Sequence, residues 1–157
     1  MLSEVTRTRI EHEVDSRSVA FGVWLYRLTR GRITRVWHRR AIVLATTGRR
    51  SGRPRTVIVQ VFPDGSDLFA VAANSGLPRP PGWYFSLIGD PSVVGELDGR
   101  RLQLHAEPLS EVEATDLWNR IVQAIAPDYE KYARRTGRIP PTFRLARLDR
   151  LRSPGST

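Results

Sequence analysis

Apolar and polar positions along this 157-residue chain follow two different periods. Up to residue 40 the apolar side chains recur at helical spacing: Val19, Val23, Leu25 and Leu28, with Trp24 and Tyr26 among them. Ser16 or Ser18 can cap such a helix, and Gly31 would end or bend it. A second short piece, 33–40, sets Val36 and Trp37 among Arg32, Arg35, Arg39 and Arg40. Aromatics mixed with arginines suit a helix lying on an anionic membrane surface, and they also suit a helix packed on its own domain with arginine stems covering the edges. The packed arrangement is the preferred expectation.

From residue 41 the pattern is that of strands. The spacing predicts strands over 41–47, 55–62 and 68–74, the last two joined by Pro63-Asp64-Gly65-Ser66. Prolines between 78 and 81 break the chain. Residues 82–89 read as a short helix carrying Trp83, Tyr84, Phe85 and Leu87, stopped by Asp90-Pro91. Strands over 93–97 and 101–107 flank Asp98-Gly99, a dipeptide suited to a type I′ turn. Ser110-Glu111-Val112-Glu113 resembles a capping box opening a helix over 112–125, with Leu117, Ile121 and Ile125 on one face. A short helix around 128–135 and a strand over 142–148 follow. This predicts an α+β fold: a small six-stranded β-barrel with an N-terminal helix and C-terminal helices. The expected division is an N-terminal helical segment, 1–40, a barrel domain, 41–150, and a loose tail, 151–157.

Composition removes several classes of chemistry. No cysteine is present, which excludes disulfides, thiol catalysis and cysteine-ligated metals. His12, His38 and His105 are scattered without metal-ligand spacing, so no metal is expected. The net charge is +9, and Lys131 is the only lysine. Such a balance concentrates anionic partners. The arginines spread over the whole chain and no nucleic-acid motif appears, so no nucleic-acid partner is expected. No apolar run reaches the ~20 residues that span a bilayer, and the first residues lack a secretory apolar core. The expected location is cytoplasmic, with peripheral contact at an anionic inner membrane face as the competing placement for the N-terminal segment.

One segment stands out: Thr46-Thr47-Gly48-Arg49-Arg50-Ser51-Gly52-Arg53-Pro54-Arg55, between the apolar runs 41–45 and 57–62. It reads as a hairpin tip with two glycines and four arginines. Exposed backbone N–H groups and guanidinium forks match phosphate or carboxylate oxygens, the groups on an anionic cofactor tail. A solvated basic turn would look the same in isolation.

The hairpin does not stand alone. Ala72-Ala73-Asn74-Ser75-Gly76 follows, then Pro78-Arg79-x-Pro81-x-Trp83-Tyr84-x-x-Leu87-x-x-Asp90-Pro91-x-Val93, and later Asp128-Tyr129-x-x-Tyr132-x-x-x-Thr136. Together these resemble the deazaflavin-dependent nitroreductase family, over about residues 41–148. The resemblance implies a split β-barrel related to the flavin-binding barrels. It also implies coenzyme F420 as cofactor, with flavin mononucleotide as the alternative. Arg49, Arg50, Ser51 and Arg55 match the hairpin that grips the cofactor tail, with Arg50 where lysine is usual. Val57, Ile58 and Val59 match the strand along the deazaflavin ring, with Ile58 where proline is common. Ala72, Ala73, Asn74 and Ser75 match the strand end beside the ring, and Trp83 and Tyr84 the aromatic pair near the pocket. Pro80 and Ser86 replace the usual histidine and asparagine, which bears on the substrate more than on the cofactor. Tyr129 and Tyr132 match tyrosines over the acceptor.

The implied activity is an F420-dependent oxidoreductase that transfers hydride from the reduced deazaflavin to a quinone, enone or nitro-type small molecule. A cofactor that carries the chemistry leaves the protein to orient both reactants and to place a donor on the developing anion. Asn74, Tyr129 and Tyr132 are the candidate catalytic donors. A barrel that binds F420 or a flavin as carrier or sensor without turnover is the alternative.

Overall fold

The computed structural model describes residues 20–32, 39–74 and 77–151. The expected caps at Ser16 and Ser18, most of the piece at 33–40, residue Ser75 and the end of the tail lie outside these.

A helix over 20–28 (α1) precedes six strands: β1 (Arg40–Thr47), β2 (Pro54–Asp64), β3 (Asp67–Val71), β4 (Ser92–Leu97), β5 (Arg100–Pro108) and β6 (Thr142–Arg147). They close into an antiparallel barrel in the order β1-β2-β3-β6-β5-β4. Short helix α2 (Gly82–Gly89) lies between β3 and β4, and α3 (Glu111–Leu117) and α4 (Glu130–Thr136) lie between β5 and β6. Sequence periodicity and fold agree closely. In β1 the alternation puts Ile42 and Leu44 inside the barrel and Val43 outside, under α1. Pro54 opens β2, a position where a missing N–H costs the ladder little.

The interior is filled by Ile42, Leu44, Val61, Ala70, Val93, Leu104, Ala106, Phe143 and Leu145, with Leu87 of α2 plugging one end. Space there is tight at Gly95, where an added Cβ would lie 2.7 Å from both Ile42 Cδ1 and Leu104 Cδ1. The outer faces of β2 and β3 bury Phe62, Phe69 and Val71 beneath Leu117, Trp118, Val122 and Ala126.

Closure is weakest between β1 and β4, which pair over only Val43–Ala45 against Val94–Glu96. Tyr26 of α1 spans this seam. Its buried hydroxyl lies 2.8 Å from the Ala41 carbonyl and 3.1 Å from the Glu96 carbonyl, sharing one proton between them, and accepts the Asp98 N–H at 3.3 Å. Arg27 adds a two-point contact to Glu96, at 3.0 and 2.7 Å. The helix is therefore packed on the barrel, while Phe21, Trp24 and Leu28 on its other side are 62%, 55% and 65% exposed.

Three local expectations differ. The third strand ends at Val71, not at residue 74, because the Ala73 N–H turns back to the Val71 carbonyl at 3.0 Å and Asn74 adopts a left-handed φ of 44°. Asparagine tolerates that conformation better than most residues. The buried face after Ser110 is Ala114, Leu117, Trp118, Val122 and Ala126, while Ile125 is exposed. The helix widens to a π turn at Trp118–Val122, which absorbs the angular drift of residues spaced by four and keeps them facing the sheet. The last strand ends at Arg147 and a short helix, Leu148–Leu151, follows it where a strand end and the start of a loose tail were expected. Asp98 and Gly99 have φ of 51° and 77° and the Ser110–Glu113 capping box is complete, as expected.

Candidate active site

The hairpin joining β1 and β2 is held from within. Gly48 N–H donates to the Arg53 carbonyl and Gly52 N–H to the Gly48 carbonyl, both at 2.8 Å, while Ser51 Oγ accepts the Arg53 N–H at 3.2 Å. The N–H groups of Arg49, Arg50 and Ser51 take no part in these bonds. A Cβ on Gly48 would meet Ser51 Oγ at 2.7 Å and the Arg53 carbonyl at 3.2 Å, so a larger residue there would have to displace the Ser51 hydroxyl from its bond to Arg53. Arg49, Arg50, Arg53 and Arg55 are exposed, and none forms an ion pair among the described residues, whereas Arg27, Arg39, Arg40 and Arg120 each do. Four unneutralised guanidinium groups on a rigid glycine turn fit a multiply anionic tail. Arg49 also lies 5.0 Å from the ring of Phe85, and Arg79 approaches the same ring at 5.2 Å. Sequence reasoning missed Arg79, though it belongs to the proline-rich motif.

A cleft of about 250 Å³ runs along the outer face of β2 and β3. Of the expected residues, Ile58, Val59, Ala73, Asn74, Trp83, Tyr129 and Tyr132 line it. Val57, Ala72 and Tyr84 are not among its walls: Val57 and Tyr84 pack against the barrel interior, and Ala72 is buried beside it. Ser75 lies outside the described residues. Gln60, Val71 and Pro81 also line the cleft and were not foreseen. The two-residue period of a strand carried the signal for Gln60, since it shares a face with Ile58.

The floor beside Ile58 is set by α1: a Cβ on Gly22 would lie 3.4 Å from Ile58 Cδ1. Asn74 is partly committed, its amide nitrogen donating to the Arg79 carbonyl at 2.6 Å. Arg138 fixes the same loop through the Pro78 carbonyl at 3.1 Å. Trp83 and Tyr84 pack on Phe143 with ring centroids 6.2 and 5.4 Å away.

The far wall is aromatic. Tyr129, ending a 3-10 turn over Pro127–Tyr129, packs edge-on against Phe62 at 5.5 Å and Tyr132 at 5.2 Å. Burial first, and the neighbouring Tyr132 next, push the Tyr129 phenol up to about 12. It is thus a neutral hydrogen-bond donor throughout the physiological range. Arg39 forms an ion pair with Asp128 and ties the start of β1 to the turn that carries this tyrosine.

A closed barrel with an exposed arginine turn at the start of β2 and a cleft further along that strand, walled by two half-buried tyrosines, suits a class: binders of a flat heterocycle with an anionic tail, with hydrogen-bond donors over its face. Sequence comparison narrows this. The family described as F420H(2)-dependent quinone reductase matches residues 19–145. The F420H(2)-dependent quinone reductase Rv1261c of Mycobacterium tuberculosis is 33% identical over 130 residues, covering 78% of this chain and 85% of its own. Among solved structures, an F420-H2 dependent reductase, FDR-A, superposes with a TM-score of 0.60 at 27% identity, over 67% of this chain and 92% of that one. A domain-swapped dimer gives 0.59 at 27% identity, over 67% and 78%. The chain belongs to the F420H2-dependent quinone reductase family; it is an oxidoreductase, and its cofactor is coenzyme F420.

Proposed function

We propose that the cleft between β2–β3 and the C-terminal tyrosines is where this enzyme reduces a quinone, and that each end of it has a separate task. The observation that carries this reading is a cleft walled by Tyr129 and Tyr132 on the strand that leads directly out of the exposed arginine turn. Bound reduced F420 supplies a hydride. Arg49, Arg50, Ser51 and Arg55 hold its acidic tail, and Ile58, Val59 and Ala73 form the surface on which its ring lies. Asn74 shapes the loop that closes the ring site through its bond to Arg79. Tyr129 and Tyr132 cover the acceptor, exclude water and donate to the oxygen on which negative charge develops. A proton follows from solvent to complete the quinol.

The test is single-turnover oxidation of the bound reduced cofactor by a naphthoquinone, an enone and a nitroaromatic. Fastest oxidation by the quinone supports the reading; preference for the enone or nitro compound reassigns the acceptor.

The exposed face of α1 favours a peripheral placement for the enzyme. Phe21, Trp24 and Leu28 project away from the barrel in a strongly basic protein, and quinones partition into membranes. Among the described residues no helix is long and apolar enough to cross a membrane. Sedimentation with anionic vesicles, lost on Phe21→Ser and Trp24→Ser with unchanged melting temperature, supports surface attachment; equal sedimentation of this variant rejects it.

A further inference from the structure

Gln60 is the one polar side chain on the β2 wall of the cleft, and its amide nitrogen is buried with no hydrogen-bond partner among the described residues. A buried donor with nothing to bind is uncommon in folded proteins, and an orphan on a side chain that lines a ligand cleft, one rotation of its terminal amide from the opening, points to the ligand as its partner. Its position says which part of the ligand. Along β2 the arginine end lies at Arg55, the ring wall at Ile58 and Val59, and the tyrosine end at Phe62, whose ring meets Tyr129. At about 3.3 Å per residue, Gln60 stands roughly 17 Å beyond Arg55, past the ring wall and one outward position short of Phe62. Across the ladder it faces Ala41, which offers no side-chain acceptor.

We infer that the Gln60 side-chain amide donates a hydrogen bond to a carbonyl oxygen of the quinone, and that this selects carbonyl-bearing acceptors over apolar rings of the same shape. The inference rests on the quinone reading of the cleft and deepens it. A flat hydrocarbon that filled the cleft would strand the amide, whereas a quinone oxygen completes it; sites built around a buried donor discriminate most strongly against ligands that lack the acceptor. Gln60 is a specificity-determining residue here, and the hydride step does not depend on it.

The test is calorimetric titration of the protein saturated with oxidised F420, which cannot reduce the ligand, with 1,4-naphthoquinone and with 1,4-dimethylnaphthalene, which keeps the ring and lacks the oxygens. The absence of cysteine keeps thiol addition from confusing the quinone isotherm. Gln60→Leu and Gln60→Met are both made, the second being unbranched and closer in length should the first fold poorly. The expected result is a quinone dissociation constant raised roughly fivefold to tenfold, hydrocarbon affinity unchanged or tighter, and F420 affinity unchanged. In steady state the quinone KM should rise by the same factor with kcat held. Equal quinone affinity in native and variant proteins overturns the inference alone, as does a parallel loss for both ligands, which would make Gln60 simple packing. A native protein that binds F420 and no quinone overturns the quinone reading and the inference with it.

Discussion

At the scale of single residues, the two ends of the cleft make different demands. Arg50→Ala and Arg55→Ala should each weaken F420 binding roughly tenfold or more, because charge-assisted bonds to a carboxylate or phosphate are lost. The fold should be untouched, since both side chains are exposed and neither forms an ion pair among the described residues. Fluorescence titration of the cofactor checks this; unchanged affinity in both variants removes the tail assignment. Tyr129→Phe should leave cofactor affinity intact and slow single-turnover quinone reduction, by at most about 10²–10³-fold. The same residue predicts an alkaline signature. A free tyrosine ionises near 10, and Tyr129 is held up to about 12 by burial. The folded state thus prefers the neutral phenol, and the stability linked to it is intact below pH 10 and lost as pH rises from about 10 to 12. On this account denaturant midpoints measured at pH 9 and 11.5 should fall less for Tyr129→Phe than for the native protein. An equal fall in both would place the phenol in contact with solvent.

At the scale of elements, strands were the most legible part of the chain and helix faces the least. Strand edges followed from β-branched alternation and from turn chemistry such as Asp98-Gly99, which states its conformation in two residues. The face of α3 was misread because a 3.6-residue period cannot anticipate a π turn, which is set by how Trp118 and Val122 meet Phe62 and Phe69. The early end of β3 comes from the Ala73 N–H turning back to Val71 and from the left-handed Asn74, a tight turn that small apolar residues in an alternating run do not announce. Of the residues that the motifs named, Ile58, Val59, Ala73, Asn74, Trp83, Tyr129 and Tyr132 line the cleft and Val57, Ala72 and Tyr84 do not; Gln60, which no motif contains, comes in by geometry alone. Gly95 tests the packing of the elements directly. Gly95→Ala should destabilise the barrel by about 1–3 kcal/mol, because the methyl would overlap Ile42 and Leu104 in a filled interior. A midpoint in urea equal to that of the native protein would mean the β1–β4–β5 layer relaxes freely.

At the scale of the whole molecule, charge and shape cooperate. The net charge of +9 draws polyanions towards the surface, and the open arginine turn gives them one place to dock. F420, with its long acidic tail, should therefore bind more tightly than flavin mononucleotide, and the preference should narrow as salt rises, because exposed charges are screened over about 8–10 Å at physiological salt. Competitive titration at low and high ionic strength measures both; tighter binding of the flavin at matched salt would contradict the tail-based preference. What the sequence could not display at this scale is that one barrel wall serves two tasks, since the inner faces of β2 and β3 fill the interior while their outer faces floor the cleft.

Tyr26 carries a consequence for the order in which the molecule comes apart. Three register pairs are a short zip, and one phenol outside the barrel touches both of its edges. Amide protons at Val43–Ala45 and Val94–Glu96 should therefore exchange with deuterium through a partial opening that leaves β5, β6 and α3 intact. Tyr26→Phe should accelerate exchange there by far more than elsewhere. The cleft floor, leaning on the same helix through Gly22 and Ile58, would then breathe with the seam. In that protein the cofactor would act as a splint, and its addition should slow the exchange again.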